Sequence, residues 1–409
     1  MSTEKIVLLG LGMQGKAVLD DLVKNTDVDQ IVVADNSPDL KAYLRRYSSE
    51  RVFGSSIDAT NEVELSALIR DADVVIESLP GTFALPVGRL AAKLGVNLVS
   101  SMYYINPGEQ NPENIGRMQA EVKEIDRQAK AKGCTILTEF GMDPGIDLVM
   151  GAKALSDVEE VHEFYSYGAG FPAAEASNNP LKYKFTWSII GLLRSYLRPA
   201  KIISQGKVIE IPAQEVFVPE NRHILELEEI GGPLESYPNG NSAHYAELFG
   251  IKNSVKEMAR YTCRWPGHCA FWEIMAKSGF LNPEPITVGN VPVAPIEFVA
   301  ALLNSQPQFH LAEHEQDLTL LRIDVRGIAQ GKRTRIVYQL IDRRDLETGF
   351  TSMQRTVGFT MSLGAQLILQ GKLPHAGLLS PIDVPYSLVA QGLKKHNMSI
   401  TRQELSWND

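Results

Sequence analysis

Five continuous apolar runs mark the first third of the chain: Ile6-Val7-Leu8-Leu9, Gln30-Ile31-Val32-Val33-Ala34, Asp73-Val74-Val75-Ile76-Glu77-Ser78, Val96-Asn97-Leu98-Val99-Ser100-Ser101 and Cys134-Thr135-Ile136-Leu137-Thr138. Runs without polar alternation predict strands covered on both faces, as in a parallel sheet. Helical spacing separates them, as over Lys16–Val23, so strand and helix alternate as in a doubly wound α/β sheet. After Asp147 the pattern changes. Phe164–Pro172 is strand-like before a Gly/Pro loop, and Lys182–Ser188, dense in aromatics and cations, precedes a helix predicted over Ile189–Leu197. Met258–Arg264 alternates as a strand, and Leu318–Arg326 with Lys332–Ile341 predicts a hairpin around Ala329-Gln330-Gly331. These strands, with few helices between them, predict a mainly antiparallel sheet in a second, α+β domain. A Pro-punctuated stretch between Asn282 and Pro307 holds one helix, Pro295–Leu303, and reads as an inserted subdomain. Thr360–Leu369 and Val384–His396 are helical again.

The first run leads at once into Gly10-Leu11-Gly12-Met13-Gln14-Gly15. A lone GxGxxG is weak evidence, but here it closes a strand and opens a helix. Gly10 would make the tight turn, Gly12 would admit a pyrophosphate to the backbone, and Gly15 would let helix and strand pack closely. The alternative is a plain βα turn. Asp35 ends the second run, twenty residues after Gly15, where an acid can hold a ribose 2′-hydroxyl and repel a 2′-phosphate. Asn36-Ser37-Pro38 follow with no Arg or Lys, so NAD is favoured over NADP; a helix cap is the rival role for Asp35. Ligands of such sheets lie at the carboxyl ends of the strands, which selects Leu79–Thr82, Ser100–Tyr104 and the stretch after the fifth run.

That stretch is Glu139-Phe140-Gly141-Met142-Asp143-Pro144-Gly145-Ile146-Asp147. Pro144 fits the first turn of a helix and Asp143 its N-cap, with Asp147 a second acid near the positive end. An ordinary capped turn and a backbone approaching a ligand stand even on local chemistry.

Composition narrows the function classes. The 409 residues carry a formal net charge of -9, with no basic footprint for nucleic acid. No window approaches the roughly 18 apolar residues of a membrane span, and Met1–Lys5 leads straight into a strand without a signal-peptide core. The three cysteines, Cys134, Cys263 and Cys269, make no disulfide framework, and a cytoplasmic protein is expected. Cys263, His268 and Cys269 lack zinc-ligand spacing, so no metal site is expected and buried thiols are. Lys184 either binds a carboxylate or is a snorkelling surface lysine, with the surface favoured. Arg264 is an anion fork or a structural salt bridge, the two standing even.

The Glu139–Asp147 stretch resembles the signature of the saccharopine dehydrogenase family, glutamate-forming branch. The resemblance continues through Pro172–Ser188, Tyr237-Pro238-Asn239, Tyr261-Thr262-Cys263-Arg264, Glu315–Leu318 and Gly377–Pro381. It implies a Rossmann domain, a second α/β domain that forms a homodimer, a small helical insertion, and a C-terminal segment returning to the first domain. The expected limits are 1–142, 143–375 with the insertion at about 270–312, and 376–409. It also implies NAD(P)-dependent oxidation of a secondary amine: hydride leaves the carbon beside nitrogen and water hydrolyses the imine, as in the conversion of saccharopine to glutamate and aminoadipate semialdehyde. By position, Gly10, Leu11, Gly12, Met13, Asp35, Asp58, Met142, Asp143, Pro144 and Ser188 match the cofactor side. Tyr103, Asp143, Thr262, Cys263 and Arg264 match the substrate side, with Asp143 the catalytic candidate.

This chain also departs from the pattern. Gly240 stands where the branch carries an arginine after its Pro-Asn pair, Met102 replaces a serine, and Gly168 replaces a substrate-loop cysteine. Losing an arginine removes a carboxylate anchor, so lysine or a carboxyalkyl polyamine are alternative substrates. Asp35 departs from the NADP preference usual in fungal enzymes of the branch. A non-catalytic dinucleotide sensor is the reading from another class.

Overall fold

The computed structural model describes residues 4–47, 49–109 and 111–407; Met1, Ser2 and Thr3, and the final Asn408 and Asp409, lie outside them. The chain divides into two units, Met1–Val149 with Gln354–Asn397, and Met150–Met353 with Met398–Asp409.

The first unit contains a seven-stranded parallel sheet. Its strands are β1 (Lys5–Leu9), β2 (Gln30–Ala34), β3 (Val52–Ser55), β4 (Val74–Glu77), β5 (Asn97–Ser100), β6 (Thr135–Leu137) and, from far along the chain, β17 (Gly377–Leu379). The spatial order is β17-β6-β5-β4-β1-β2-β3, a Rossmann order whose direction of growth reverses between β1 and β4. The helices are α1 (Met13–Asn25), α2 (Leu40–Leu44), α3 (Glu62–Ile69), α4 (Ala84–Leu94), α5 (Pro112–Lys132) and the start of α6 (Ile146–Ser156). Ile6, Val7, Leu8 and Leu9 are fully buried, which is why this strand shows no alternation; each such side chain stabilises the fold by about 1.5–3 kcal/mol.

The second unit is built on a nine-stranded mixed sheet. It uses β7 (Glu160–Pro172), β8 (Ala200–Ser204), β9 (Lys207–Ile211), β10 (His223–Leu225), β11 (Leu234–Pro238), β12 (Glu257–Arg264), β15 (Asp317–Ala329), β16 (Lys332–Arg343) and β18 (Ile400–Ser406). The main path runs β10-β11-β12-β7-β15-β16-β18. Only the β12–β7 pair on it is parallel. The predicted hairpin pairs twelve positions, from Leu318↔Arg343 to Ala329↔Lys332. Gln330 and Gly331 close it, both at positive φ, as a tight two-residue hairpin turn requires. Helices α7 (Ile189–Ser195) and α8 (Ser242–Leu248) belong to this unit. The inserted segment is α9 (His268–Lys277), a small hairpin of β13 (Ile286–Val288) with β14 (Val291–Val293), and α10 (Pro295–Asn304).

Two boundaries differ from expectation. The chain rejoins the first unit at Gln354, within α11 (Ser352–Leu369), not after residue 375. Two glycines of α11 explain this: a Cβ on Gly358 would come 2.7 Å from Ala17 of α1, and one on Gly364 would come 2.8 Å from the Phe140 ring, so the helix lies against these partners. The C-terminal segment then splits. β17 and α12 (Tyr386–Lys394) lie in the first unit, whereas β18 pairs with β16 in the second. No helix among the described residues is long and apolar enough to cross a membrane.

Candidate functional site

β1 ends at Leu9 and the chain turns at Gly10, whose φ of 91° suits glycine. A Cβ here would lie 2.5 Å from the Ser78 carbonyl oxygen, and one on Gly15 would overlap the Gly10 carbonyl oxygen. Both glycines are therefore fixed by close backbone approach. Gly12 is different: it precedes α1 and nothing lies within 4 Å of where its Cβ would be. The first turn of α1, opening at the exposed Met13, has no acidic residue and no side-chain cap. Its first N–H groups and the positive helix end are thus left for an anion. Asp35 borders the same turn, accepting the Leu11 N–H at 2.6 Å and the Ser37 N–H at 2.7 Å. It caps no helix, since α2 begins only at Leu40. These residues fit the phosphates and ribose of a dinucleotide. Asp58 accepts from the Thr60 hydroxyl at 2.7 Å and its N–H at 2.9 Å, and these bonds hold its carboxyl below the usual range.

The signature stretch forms a compact turn rather than the start of a helix. α6 begins at Ile146, so Pro144 lies before the helix and Asp143 is not its N-cap. The turn closes through Gly141 N–H to the Pro144 carbonyl at 3.2 Å, Ile146 N–H to Gly141 at 3.1 Å and Asp147 N–H to Met142 at 3.2 Å. Gly145, at φ 143°, leaves no room for a Cβ against the Gly141 backbone. It is the Asp147 side chain that turns back, accepting the Gly145 N–H at 2.8 Å. Burial pushes its carboxyl up to about 8, opposed by bonds from the Gly145 and Leu148 N–H groups. Met142 and Pro144 are buried while Asp143 is half-buried, so the turn presents Asp143. Phe140 N–H donates to the Ser100 carbonyl at 2.9 Å, which seats the turn beside the end of β5. Tyr103, half-buried, follows on that loop.

In the second unit, Lys184 is only 4% exposed. Its ammonium pairs with Glu315 at 2.5 Å, so it is neither a surface lysine nor a free carboxylate ligand. Ser188 caps α7, accepting the Gly191 N–H at 3.2 Å. Thr262, Cys263 and Arg264 end β12. Cys263 is fully buried beside the Ser236 hydroxyl at 3.4 Å, and burial pushes its thiol up to about 11. All three cysteines are buried, unpaired thiols. Arg264 donates from Nη1 to the Cys263 carbonyl at 2.8 Å, its guanidinium lies 5.0 Å from the Tyr183 ring centre, and its buried Nε has no hydrogen-bond partner. No carboxylate pairs with it among the described residues. The salt-bridge reading of Arg264 is thereby removed.

Two features went unread in the sequence. Glu77 was read only as the end of a strand, yet it is a fully buried acid, and its place directly after the apolar Val74-Val75-Ile76 is the one local sign of that. Lys184 finds Glu315 from 131 positions away, and no local pattern announces that.

Residues 6–137 match the family described as Saccharopine dehydrogenase NADP binding domain, and residues 141–398 that described as Saccharopine dehydrogenase C-terminal domain. The mitochondrial alpha-aminoadipic semialdehyde synthase of Mus musculus is 27% identical over 444 residues, covering 93% of this chain and 46% of that protein. The NADP(+), L-glutamate-forming saccharopine dehydrogenase of Saccharomyces cerevisiae is 28% identical over 295 residues, covering 71% of this chain and 61% of that protein. The chain thus spans about half the length of the first of these curated relatives. The solved apo structure of the histidine-tagged L-Glu-forming saccharopine dehydrogenase from Saccharomyces cerevisiae shares the fold, with a TM-score of 0.82 at 23% identity over 98% of this chain and 100% of that one. With family matches running almost unbroken from residue 6 to residue 398, this chain belongs to the saccharopine dehydrogenase family.

Proposed function

We propose that this chain is an NAD(P)-dependent oxidoreductase acting on the CH–NH bond of a secondary-amine amino acid, saccharopine or a close analogue. The observation that carries the cofactor half is the glycine turn, open at Gly12 and bordered by Asp35 at the point where the strand order reverses. When bound, a nicotinamide dinucleotide supplies the acceptor for the hydride that leaves the carbon beside nitrogen. Gly10, Gly12, Met13 and Gly15 would receive the phosphates, and Asp35 the adenosine ribose. Ser100 closes β5, and Leu79, Met142 and Pro144 lie on the loops after β4 and β6, where such ligands bind. Asp35 favours NAD, whereas the name of the Saccharomyces cerevisiae relative and the description of the matching family domain carry NADP.

On the substrate side, Asp143 would orient the amine and take its proton as the C=N bond forms. Water then adds across that bond, and cleavage gives a carbonyl compound and an amine. Arg264, lacking an acidic partner, would hold a substrate carboxylate through its planar fork, with Thr262 and Cys263 beside it at the end of β12 and Tyr103 on the loop after β5. One observation favours a substrate with fewer carboxylates than saccharopine. Gly240, where the branch has arginine, sits at φ 72°, and Asn241 is engaged in capping α8 through the His244 N–H at 3.2 Å. A cytoplasmic homodimer completes the reading, and light scattering on the purified chain tests its stoichiometry.

The deciding experiment is NADH and NADPH formation with saccharopine, lysine and carboxyalkyl polyamines, each with NAD and NADP. Turnover of one of these with NAD ahead of NADP is expected. Nucleotide binding without turnover of any amine would instead favour a sensor.

A further inference from the structure

The end of β4 carries a group that the glycine turn and the Asp143 loop do not use. Glu77 lies opposite Leu9 of β1 on one side and Ser100 of β5 on the other, and it is 0% exposed. Its Oε1 accepts the Leu79 N–H at 2.8 Å, and its Oε2 accepts the Ser100 hydroxyl at 2.5 Å. The Ser100 oxygen in turn accepts the Met102 N–H at 3.0 Å. One carboxylate thereby joins the turn after β4 to the turn after β5. No cation pairs with it among the described residues. The titratable group facing it is Tyr104, whose buried hydroxyl has no hydrogen-bond partner and presses against Gly88 of α4. Leu9 and Ser100, from the flanking strands, carry no charge.

A buried carboxylate without a cation costs several kcal/mol, and a fourth apolar residue after Val74-Val75-Ile76 would avoid that cost. Its location gives the charge a use. β4 borders β1, where the strand order reverses and where ligands of open α/β sheets sit. The next residue, Ser78, has its carbonyl oxygen packed against Gly10 of the glycine turn.

We propose that Glu77 is a positioning residue for the cofactor side of the site, its anion holding the Leu79 and Ser100 turns in the arrangement that receives a dinucleotide and its protonation releasing them. The proposal rests on the dinucleotide reading above. As an anion, Glu77 accepts from both turns while Ser100 passes the chain of bonds on to Met102. Once Glu77 takes a proton, the charge that strengthens both bonds is gone and the Ser100 hydroxyl must turn from donor to acceptor, so the link between the two turns weakens. Burial pushes this carboxyl up to about 7, against the opposing bonds from Ser100 and Leu79, so the exchange falls in the neutral range.

The test is titration of the full chain with NADH and with NADPH, followed by nucleotide fluorescence from pH 6 to pH 8, for the wild type, Glu77→Gln and Ser100→Ala. In the wild type, affinity is expected to rise with pH by about tenfold, equivalent to one pKa unit of coupling. Glu77→Gln, which cannot ionise, should bind more weakly and lack that dependence. Ser100→Ala should move the midpoint to higher pH, because a bond that opposes the effect of burial is gone. Matching pH profiles for the wild type and Glu77→Gln overturn the proposal, as does an unmoved midpoint in Ser100→Ala. If Glu77→Gln fails to fold, judged by circular dichroism, the Ser100→Ala midpoint decides. A wild type that binds neither nucleotide overturns the dinucleotide reading itself and the proposal with it.

Discussion

Replacing Lys184 by Met leaves the Glu315 carboxylate nearly buried without its cation. The two side chains are only 5% and 11% exposed. Removing one partner of such a pair costs about 3–5 kcal/mol. Glu315 keeps the Ala312 N–H at 2.8 Å, which places this site near the lower figure. At about 2–4 °C per kcal/mol for a unit of this size, the melting temperature should fall by about 6–12 °C at pH 7. The loss should also depend on pH in a particular direction. Burial raises the Glu315 carboxyl, but the bonds from Lys184 and Ala312 outweigh it, so its folded value lies below the ordinary 4.5. A carboxylate of this kind contributes stability above its unfolded value, and that stability is lost as pH falls through the folded value. Without Lys184, burial dominates and the folded value rises, so the deficit of K184M should shrink as the medium is acidified toward pH 4. Adding Glu315→Leu should recover most of the loss, because the stranded charge goes with it. Thermal unfolding of the wild type, K184M and K184M/E315L at both pH values is the assay. An unchanged melting temperature at pH 7, or a deficit equal at the two pH values, refutes the ion-pair account of Lys184.

Two further outcomes follow from the first unit. Gly15→Ala drives a methyl into the Gly10 carbonyl and should weaken NADH binding at least tenfold, about 1.4 kcal/mol; fluorescence titration that finds wild-type affinity would show that helix and turn can yield. Asp143→Asn should abolish turnover on whichever amine proves to be the substrate while leaving NADH affinity intact, and steady-state rates near wild type would remove Asp143 from the chemistry.

The parallel sheet was legible because its strands are covered on both faces, so apolar runs such as Val74-Val75-Ile76 stand out from their polar flanks. The glycine turn was legible for a related reason: Gly10 and Gly15 answer local demands of the strand-to-helix switch. What could not be read depends on distant partners or on backbone shape. Pro144 looked like a helix start, but Gly145 at φ 143° folds the chain back before the helix begins. Lys184 sits among aromatic neighbours that suit a surface lysine as well as a buried one, and Glu315, which decides between them, lies far along the chain. β18, Ile400–Ser406, escaped notice because it is an edge strand whose side chains are almost all exposed, so it shows no apolar face.

That edge strand has a consequence for how the chain reaches its native state. Each sheet takes an edge from the last stretch of the chain: β17 lies beside β6, and β18 beside β16. During synthesis both sheets therefore wait with an open border, β16 exposing a ladder that β18 later covers over seven positions. Closing such gaps brings together residues far apart in sequence, which slows folding. Meanwhile the bare strand is a template on which a second unfinished chain can pair. The polar composition of Thr401-Arg402-Gln403-Glu404 then works as a cover: it completes the sheet and leaves an outer border that another chain does not readily extend.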